Sequence, residues 1–179
     1  NLEQYLKEDH GIFKKDIDPD VLTISDTLIS NGYQAFVVGG CIRDMLLGKT
    51  PKDFDIATDA SPPEICKLFN KAKIIGRRFK IVHVYTSERK YFEVTTFRSD
   101  VKKKTNEKKF KKIQGMIKRD NVYGSISQDA FRRDFTVNSL YLDLDSEILH
   151  DYVNGIDDIR NGKLRLIKKP SISYQEDPV

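Results

Sequence analysis

Cysteine and long apolar segments are both scarce in this chain of 179 residues. The two cysteines, Cys41 and Cys66, lie inside apolar stretches and form no CxxC pair, so neither a disulfide framework nor a zinc framework is expected. No apolar run approaches the roughly 18 residues that a membrane-spanning helix requires. The first residues, NLEQ, do not resemble a signal peptide. We therefore expect a soluble, cytoplasmic protein that has no membrane partner.

Several familiar catalytic motifs are also missing. The sequence contains neither the GxGxxG fingerprint of dinucleotide-binding folds nor the GxxxxGK[ST] loop of P-loop enzymes. The histidines His10, His83 and His150 are scattered without a Ser-His-Asp or Cys-His arrangement, and His83 is expected to be a satisfied structural residue within a strand. With 39% hydrophobic residues and no internal repeat, the chain is predicted to be one globular domain.

The spacing of apolar residues predicts a mixed sheet flanked by helices, an α+β (mixed α/β) fold. Predicted helices cover residues 20–31, 41–47 and 128–133, and another begins at residues 61–64. Predicted strands cover residues 33–38, 54–57, 79–85, 91–97, 148–152 and 163–167. Residues 136–144 fit either a helix end or a strand, and Asn154-Gly155 is predicted to be a turn.

The positive charge of the chain is concentrated in one segment. Residues 101–120 carry nine basic and two acidic side chains, whereas the rest of the chain has a net charge of −3. This composition is typical of a loop rather than a packed element. The loop is either a solvated insertion or an arm that attracts the phosphate backbone of a nucleic acid.

A strand that ends in two glycines forms the first candidate site. Gly39 and Gly40 follow the predicted strand at residues 33–38, and Arg43 lies on the first turn of the next helix. Two glycines let the backbone approach a ligand closely, and the start of a helix offers free N–H groups. This arrangement suits a triphosphate with Arg43 as a charged clamp, although a Gly-Gly turn also occurs as a purely structural feature.

A pair of acidic residues, Asp53 and Asp55, forms the second candidate site. On a strand, residues two apart point to the same face with their Cα atoms about 6–7 Å apart. Two carboxylates at that distance repel each other unless a cation lies between them. Hard oxygen ligands suit Mg²⁺, and a two-metal site would activate an attacking hydroxyl and stabilise a leaving pyrophosphate. The alternative is a solvated loop.

The third candidate site contains Arg132, Arg133 and Asp134, which lie beside apolar residues. The arginines form either surface salt bridges or contacts with phosphate groups, and in the second case Asp134 joins the metal or sugar site. Glu93 lies between the apolar residues of the strand at 91–97. It is predicted either to be exposed at a sheet edge or to face the same cleft as the acidic pair.

Three segments together resemble a known family: FVVGGCIRD at residues 36–44, KDFD at 52–55 and RRDFTVN at 132–138. They resemble the class II nucleotidyltransferases, which comprise bacterial poly(A) polymerases and tRNA CCA-adding enzymes. The resemblance covers about residues 33–179. It implies a catalytic head that resembles DNA polymerase beta.

The resemblance also implies a role for individual residues. Asp53 and Asp55 would bind a pair of Mg²⁺ ions with Glu93 as a further acid, and Asp134 would be catalytic together with the aspartate pair. The residues implied to hold ATP are Gly39, Gly40, Arg43, Arg132, Arg133 and Asp177. With a nucleotidyltransferase activity on RNA, the charge of the basic loop predicts an arm that steers RNA through Lys102, Lys103, Lys104, Lys108, Lys109, Lys111 and Lys112.

Within the family, residues 75–84 and 119–130 resemble the poly(A) polymerase branch. The end of the chain, YQEDPV, resembles the start of the family's neck motif, whose aspartate corresponds to Asp177 and reads the incoming base. We expect an N-terminal extension and helix at 1–32, the catalytic head at 33–170 and the start of the neck at 171–179. The rest of the neck, the body and the tail would lie outside this sequence.

The expected activity is template-independent addition of AMP from ATP to RNA 3′ ends with release of pyrophosphate. A tRNA CCA-adding enzyme that uses CTP and ATP is the nearest alternative. A catalytically idle module that binds RNA or nucleotide is the alternative from a different class. The expected partners are RNA 3′ ends and ATP, and the sequence indicates no protein partner.

Overall fold

The fold is built on one eight-stranded mixed sheet. The computed structural model describes residues 2–77, 79–87, 89–99 and 123–168. Within these ranges the strands are β1 (Glu3–Tyr5), β2 (Ala35–Val38), β3 (Asp55–Thr58), β4 (Ala72–Ile75), β5 (Ile81–Ser87), β6 (Lys90–Thr96), β7 (Leu140–Asp143) and β8 (Leu149–Asp151). Their order in the sheet is β1-β8-β7-β2-β3-β6-β5-β4. Only β3 and β6 pair in parallel; the other neighbours are antiparallel.

The described part of the chain contains six α-helices and two short 3₁₀ turns besides these strands. The helices are α1 (Lys7–His10), α2 (Pro19–Ser30), α3 (Gly40–Leu46), α4 (Pro62–Leu68), α5 (Ile126–Arg132) and α6 (Gly155–Arg160), and the 3₁₀ turns are Lys14–Asp16 and Thr136–Asn138. The start of α4 has the predicted capping box, in which the Glu64 carboxylate accepts hydrogen bonds from the Ser61 N–H and hydroxyl. No helix in the described part of the chain is long and apolar enough to cross a membrane.

The sheet buries apolar residues on both faces, and the alternation of side chains along β2 shows how. Val37 faces the larger cluster, which includes residues of α2, α3, α4 and α6, whereas Phe36 and Val38 face a smaller cluster that includes Ala130 of α5. Successive strand residues point to opposite faces, and both faces are covered by apolar clusters. All four residues of β2 are therefore buried. Burial on both faces fixes the backbone positions of β2 and the neighbouring strand β3, and with them the residues at the ends of these strands.

The structure confirms most of the predicted elements and adds several. Residues 136–144, which fitted two interpretations, contain both a 3₁₀ turn and strand β7. The short elements β1, α1 and β4 carry too few periodic positions to be predicted. Within the segment predicted as an extension and a helix, β1 pairs with β8 in the sheet, and α2 buries Val21, Ile24 and Leu28 in the core.

Two predictions about the C-terminal part are wrong. Residues 163–167 do not form a strand, because their only ladder contact in the described chain is an isolated bridge from Leu166 to Phe135. Asn154-Gly155 is not a simple turn but the start of α6. The buried carboxylate of Asp151 accepts hydrogen bonds from the N–H groups of Gly155 and Ile156, which stabilises this short helix.

We predict that Gly155→Ala destabilises the domain by about 2 kcal/mol, because a Cβ at this buried position would overlap the carbonyl oxygen of Thr136. Urea unfolding measures the effect. Asp157→Ala, on an exposed position of the same helix, is the matched control and should change stability by less than about 0.5 kcal/mol. Equal stability of the two variants would show that the helix shifts freely away from Thr136.

Candidate active site

Three carboxylates singled out by the sequence, those of Asp53, Asp55 and Glu93, line one open cleft of about 670 Å³ together with Asp18, which is paired with Lys90. Asp55 is the first residue of β3, and Glu93 lies directly opposite it on the parallel strand β6. Asp53 lies two residues before β3, so the expectation that both aspartates are on a strand is wrong for Asp53. All three nevertheless line the cleft. Of the two expectations for Glu93, the structure therefore favours the one in which it faces the acidic pair.

The electrostatics of this group favour a cation. Burial raises the pKa of the Asp55 carboxyl above its ordinary value of 3.8, and the nearby charges of Glu93 and Asp53 raise it further. The guanidinium of Arg133 acts in the opposite direction without cancelling the shift. The ionised form of Asp55 is therefore disfavoured by burial and by repulsion from Glu93 and Asp53. A hard divalent cation bound between these carboxylates would offset the repulsion.

The donor set is that of a site completed by a substrate. The described residues contain no group of three or more His, Cys, Asp and Glu side chains close enough to enclose a metal by themselves. Mg²⁺ typically takes one or two protein carboxylates and fills its other positions with water and substrate phosphates. The aspartate pair fits that pattern, with Glu93 alongside.

The Gly39-Gly40 turn brings the end of β2 against the carboxylates. Gly39 has φ +85°, which disfavours any residue with a side chain, and it forms the N-terminal boundary of α3. A Cβ at this position would lie 3.5 Å from Oδ2 of Asp55 and 3.9 Å from Nη1 of Arg133. A side chain at position 39 would therefore touch both an acidic and a basic member of the site.

Arg43 is held in place from two directions. Its Nε and Nη2 donate to Oδ1 of Asp44 at 3.0 and 2.8 Å, and its Nη1 donates to Oδ1 of Asn138 at 2.7 Å. Asn138 belongs to the RRDFTVN segment, so the first and third candidate sites are joined by this hydrogen bond. The sequence placed Asn138 in a motif, but nothing in the spacing identified it as the partner of Arg43.

Asp129 organises the two arginines of the third candidate site. It is 2% exposed, pairs with Arg132 at 3.1 Å and Arg133 at 3.2 Å, and accepts a hydrogen bond of 2.7 Å from the Tyr141 hydroxyl. Sequence reasoning did not assign it a role. The signal was present, because Asp129 precedes the arginines by three and four residues, a spacing that faces them together on a helix.

Of the two arginines, Arg133 is the closer to the acidic cleft. It sits over the ring of Tyr141 at 5.2 Å from the centroid, and its charge acts on Asp55. The two expectations for this segment were surface salt bridges or phosphate contacts. The structure shows ion pairs with a buried acid and leaves Arg133 beside the Gly39 turn.

The structure does not bring Asp134 into the acidic group. Asp134 is exposed just beyond α5, its backbone carbonyl accepts a hydrogen bond from the N–H of Ile167, and it is not among the residues that line the cleft. Its catalytic role stays a prediction. The basic loop with its seven implicated lysines, and Asp177, lie outside the described residues.

His83 differs from its expected role as a satisfied residue. Its ring is mostly buried, and Nε2 lies 3.4 Å from Oε1 of Glu93. Nε2 nevertheless makes no hydrogen bond of acceptable geometry within the described part of the chain. The imidazole Nε2 of His83 therefore lies beside the Glu93 carboxylate without a well-oriented hydrogen bond among the described residues.

Comparisons with known proteins show the family to which the chain belongs. Residues 35–165 match the family model described as "Poly A polymerase head domain". The chain is 48% identical to Poly(A) polymerase I of Haemophilus influenzae over 94% of its length, and 36% identical to the CCA-adding enzyme of Bacillus pumilus over 87%. A solved structure of the Bacillus stearothermophilus CCA-adding enzyme in complex with CTP superposes over 90% of the chain with a TM-score of 0.70 at 30% identity.

The chain covers only about a third of the length of each of these relatives. The chain spans 37% of the Haemophilus influenzae protein, 36% of the Bacillus pumilus protein and 37% of the solved structure. The match therefore concerns one domain of longer proteins. Within that domain, the Gly-Gly turn, the acidic cleft and the arginine network all lie in the matched residues. This chain belongs to the poly(A) polymerase head-domain family of nucleotidyltransferases.

Proposed function

We propose that the full-length protein adds AMP from ATP to the 3′ hydroxyl of RNA in the cytoplasm, without a template, and that the tails mark RNA for decay. The observation that carries this proposal is the convergence of Asp53, Asp55 and Glu93 on one cleft beside the Gly39 turn. The identity to a protein named Poly(A) polymerase I supports the same activity.

In this proposal each residue of the site has a separate role in the reaction. The 3′ oxygen of RNA attacks the α-phosphorus of ATP, the bond from that phosphorus to the bridging oxygen breaks, and pyrophosphate leaves. The hydroxyl proton passes to a carboxylate oxygen of the Asp55–Glu93 pair. Asp53 and Asp55 would hold Mg²⁺, which when bound supplies charge stabilisation on the phosphate oxygens. Arg43 and Arg133 offset the negative charge of the triphosphate.

A tRNA CCA-adding enzyme is the second candidate, and the solved relative in complex with CTP is the observation in its favour. The higher identity to the poly(A) polymerase, 48% against 36%, favours AMP addition. Residues 75–84 and 119–130, which resemble the poly(A) branch, favour it as well.

Pyrophosphate release tests whether the protein is an enzyme or an idle binding module. The full-length protein is incubated with ATP and an oligo(A) primer, with and without Mg²⁺. We expect release that requires both the primer and Mg²⁺ and equals the AMP incorporated. An idle module would bind ATP without Mg²⁺ enhancement and release no pyrophosphate, which would contradict the proposal.

We predict that Arg43→Lys raises the KM for ATP about tenfold, because a lysine cannot reproduce the fork that Arg43 offers to Asp44, Asn138 and a phosphate group together. Steady-state kinetics with saturating primer measure this effect. The control is Arg160→Lys, an exposed arginine on α6. An unchanged KM for ATP in Arg43→Lys would remove Arg43 from the triphosphate site.

The remaining roles expected from the sequence belong to this proposal too. Asp177 and Arg132 would contact ATP, and the lysine-rich loop would steer RNA and make its binding salt-dependent. Residues 33–170 would be the catalytic head, and residues 171–179 would begin a neck.

A further inference from the structure

Three rings form an aromatic group on the sheet surface beside the cleft. Tyr91 of β6 stacks on His83 of β5 with their centroids 4.1 Å apart and their planes within 14°. Tyr85 lies 5.5 Å from Tyr91 in a tilted arrangement. Tyr91 is 47% exposed although it is a large aromatic residue. The group therefore presents one open ring that is supported from within the fold.

The register of the strands places this group next to the carboxylates. His83 lies opposite Glu93, and Glu93 lies opposite Asp55, so one row of residues crosses β5, β6 and β3 on the same face. Nε2 of His83 is 3.4 Å from Oε1 of Glu93, and Tyr91 itself lines the cleft. The aromatic group and the acidic group form one continuous surface.

The geometry of nucleotidyl transfer indicates which of the two substrates binds at this surface, an inference that rests on the proposed function. The Gly39 turn and Arg43, where the triphosphate is proposed to bind, lie on the β2 side of Asp55. In phosphoryl-type transfer the attacking and leaving oxygens are roughly in line. The leaving pyrophosphate is on the β2 side, so the attacking hydroxyl approaches from the opposite side, where β6 and β5 carry Glu93 and the rings.

A base of single-stranded RNA is the ligand that an open ring at this position suits. Proteins that bind single strands without reading sequence stack bases on exposed aromatic side chains. Stacking accepts any base because every base has a π face. An acceptor strand whose last base stacks here would bring its 3′ hydroxyl toward Glu93 and Asp55.

We propose that Tyr91, supported by His83, stacks the 3′-terminal base of the RNA acceptor and so positions its hydroxyl at the carboxylates. Tyr91 makes the contact, and His83 is a positioning residue that holds the ring. The surface acts on the acceptor RNA and not on the incoming nucleotide.

The test uses the full-length protein and an oligo(A) primer whose 3′-terminal base is 2-aminopurine, a fluorescent base that stacking quenches. Tyr91→Ala is compared with Tyr91→Phe, which keeps a ring, and with Phe13→Ala, which removes another exposed aromatic ring outside the cleft. We expect quenching in the wild type, Tyr91→Phe and Phe13→Ala, and its loss in Tyr91→Ala. The KM for primer in Tyr91→Ala should rise roughly tenfold with the KM for ATP unchanged.

The role of His83 is tested by comparing the KM for primer with the KM for ATP in the same way. His83→Ala should raise the KM for primer alone, and His83→Phe should restore it. The stacking proposal is overturned if Tyr91→Ala quenches like the wild type, or if its KM for ATP rises in place of that for primer. Quenching without any AMP transfer by the wild type would sink the proposed function instead, and transfer without quenching would sink only the stacking.

Discussion

Asp55→Asn in the full-length protein is expected to lower AMP transfer by about 10³-fold or more while the domain stays folded. Asparagine keeps the size of the side chain and removes the charge that Mg²⁺ and the developing transition state need. Asp53→Asn should behave in the same way, since the two carboxylates line the same cleft. Single-turnover incorporation of labelled ATP measures the loss.

The same substitution should leave stability unchanged or raise it in buffer without divalent cations. The pKa of Asp55 is raised in the folded state by burial and by Glu93, so ionising this carboxyl disfavours the fold. The cost appears as the pH rises above the ordinary value of 3.8 and is complete above the folded pKa. Removing the charge removes that cost at neutral pH.

Thermal unfolding at pH 7 and at pH 4 separates the catalytic effect from the structural one. We expect the Tm advantage of Asp55→Asn to be larger at pH 7. The control is Asp26→Asn, an exposed residue on α2, which should alter neither Tm nor transfer. A folded Asp55→Asn protein that retains wild-type turnover would exclude Asp55 from the chemistry.

Asp129→Ala is expected to cost about 3–5 kcal/mol of unfolding free energy, the largest stability effect of any substitution considered. Its carboxylate is 2% exposed and carries ion pairs to Arg132 and Arg133 as well as the hydrogen bond from Tyr141. Alanine leaves the guanidinium of Arg133 without this counter-charge. Because Arg133 lies beside Gly39 and Asp55, transfer activity should fall as well.

The pH dependence of this contribution has the opposite sign to that of Asp55. Burial alone would raise the pKa of Asp129, but the guanidiniums of Arg133 and Arg132 and the hydrogen bond from Tyr141 outweigh it and lower the pKa. The stability that Asp129 supplies is therefore fully present above its ordinary value of 3.8 and is lost as the pH falls through the lowered folded value.

Urea unfolding at pH 7 compares Asp129→Ala with Asp157→Ala, which removes an exposed carboxylate on α6. The control should stay within about 0.5 kcal/mol of the wild type. Asp129→Asn keeps hydrogen-bonding capacity and should recover part of the loss. A loss below about 1 kcal/mol in Asp129→Ala would mean that solvent already screens these pairs.

The sequence predicted those elements whose signals lie within a few neighbouring residues. The helical spacing of Val21, Ile24 and Leu28 predicted α2, and the Ser61 capping box predicted the start of α4. The segment at 163–167 was misassigned because its apolar alternation is real, whereas its pairing is limited to an isolated bridge between Leu166 and Phe135. The start of α6 depends on Asp151, which lies at the end of β8 only four and five residues before Gly155 and Ile156, a local signal that went unused because Asn154-Gly155 resembled a turn.

The candidate site shows the same division between local and long-range information. Gly39, Arg43, Asp53 and Asp55 were recognisable because their chemistry is concentrated in short motifs. The pairing of Glu93 with Asp55 depends on the register of two parallel strands 38 positions apart in the chain, and no local pattern fixes that register. His83 and Tyr91 were missed as a pair for the same reason, since each is ordinary within its own strand.

Sequencing the RNA products that the full-length protein makes from an equimolar mixture of ATP and CTP distinguishes AMP addition from CCA addition directly. The protein is offered an oligo(A) primer and a tRNA that lacks its 3′ CCA, in the presence of Mg²⁺. We expect tails of A alone on both RNAs. Addition of two C and one A on the tRNA alone would contradict the proposed function and would identify a CCA-adding enzyme.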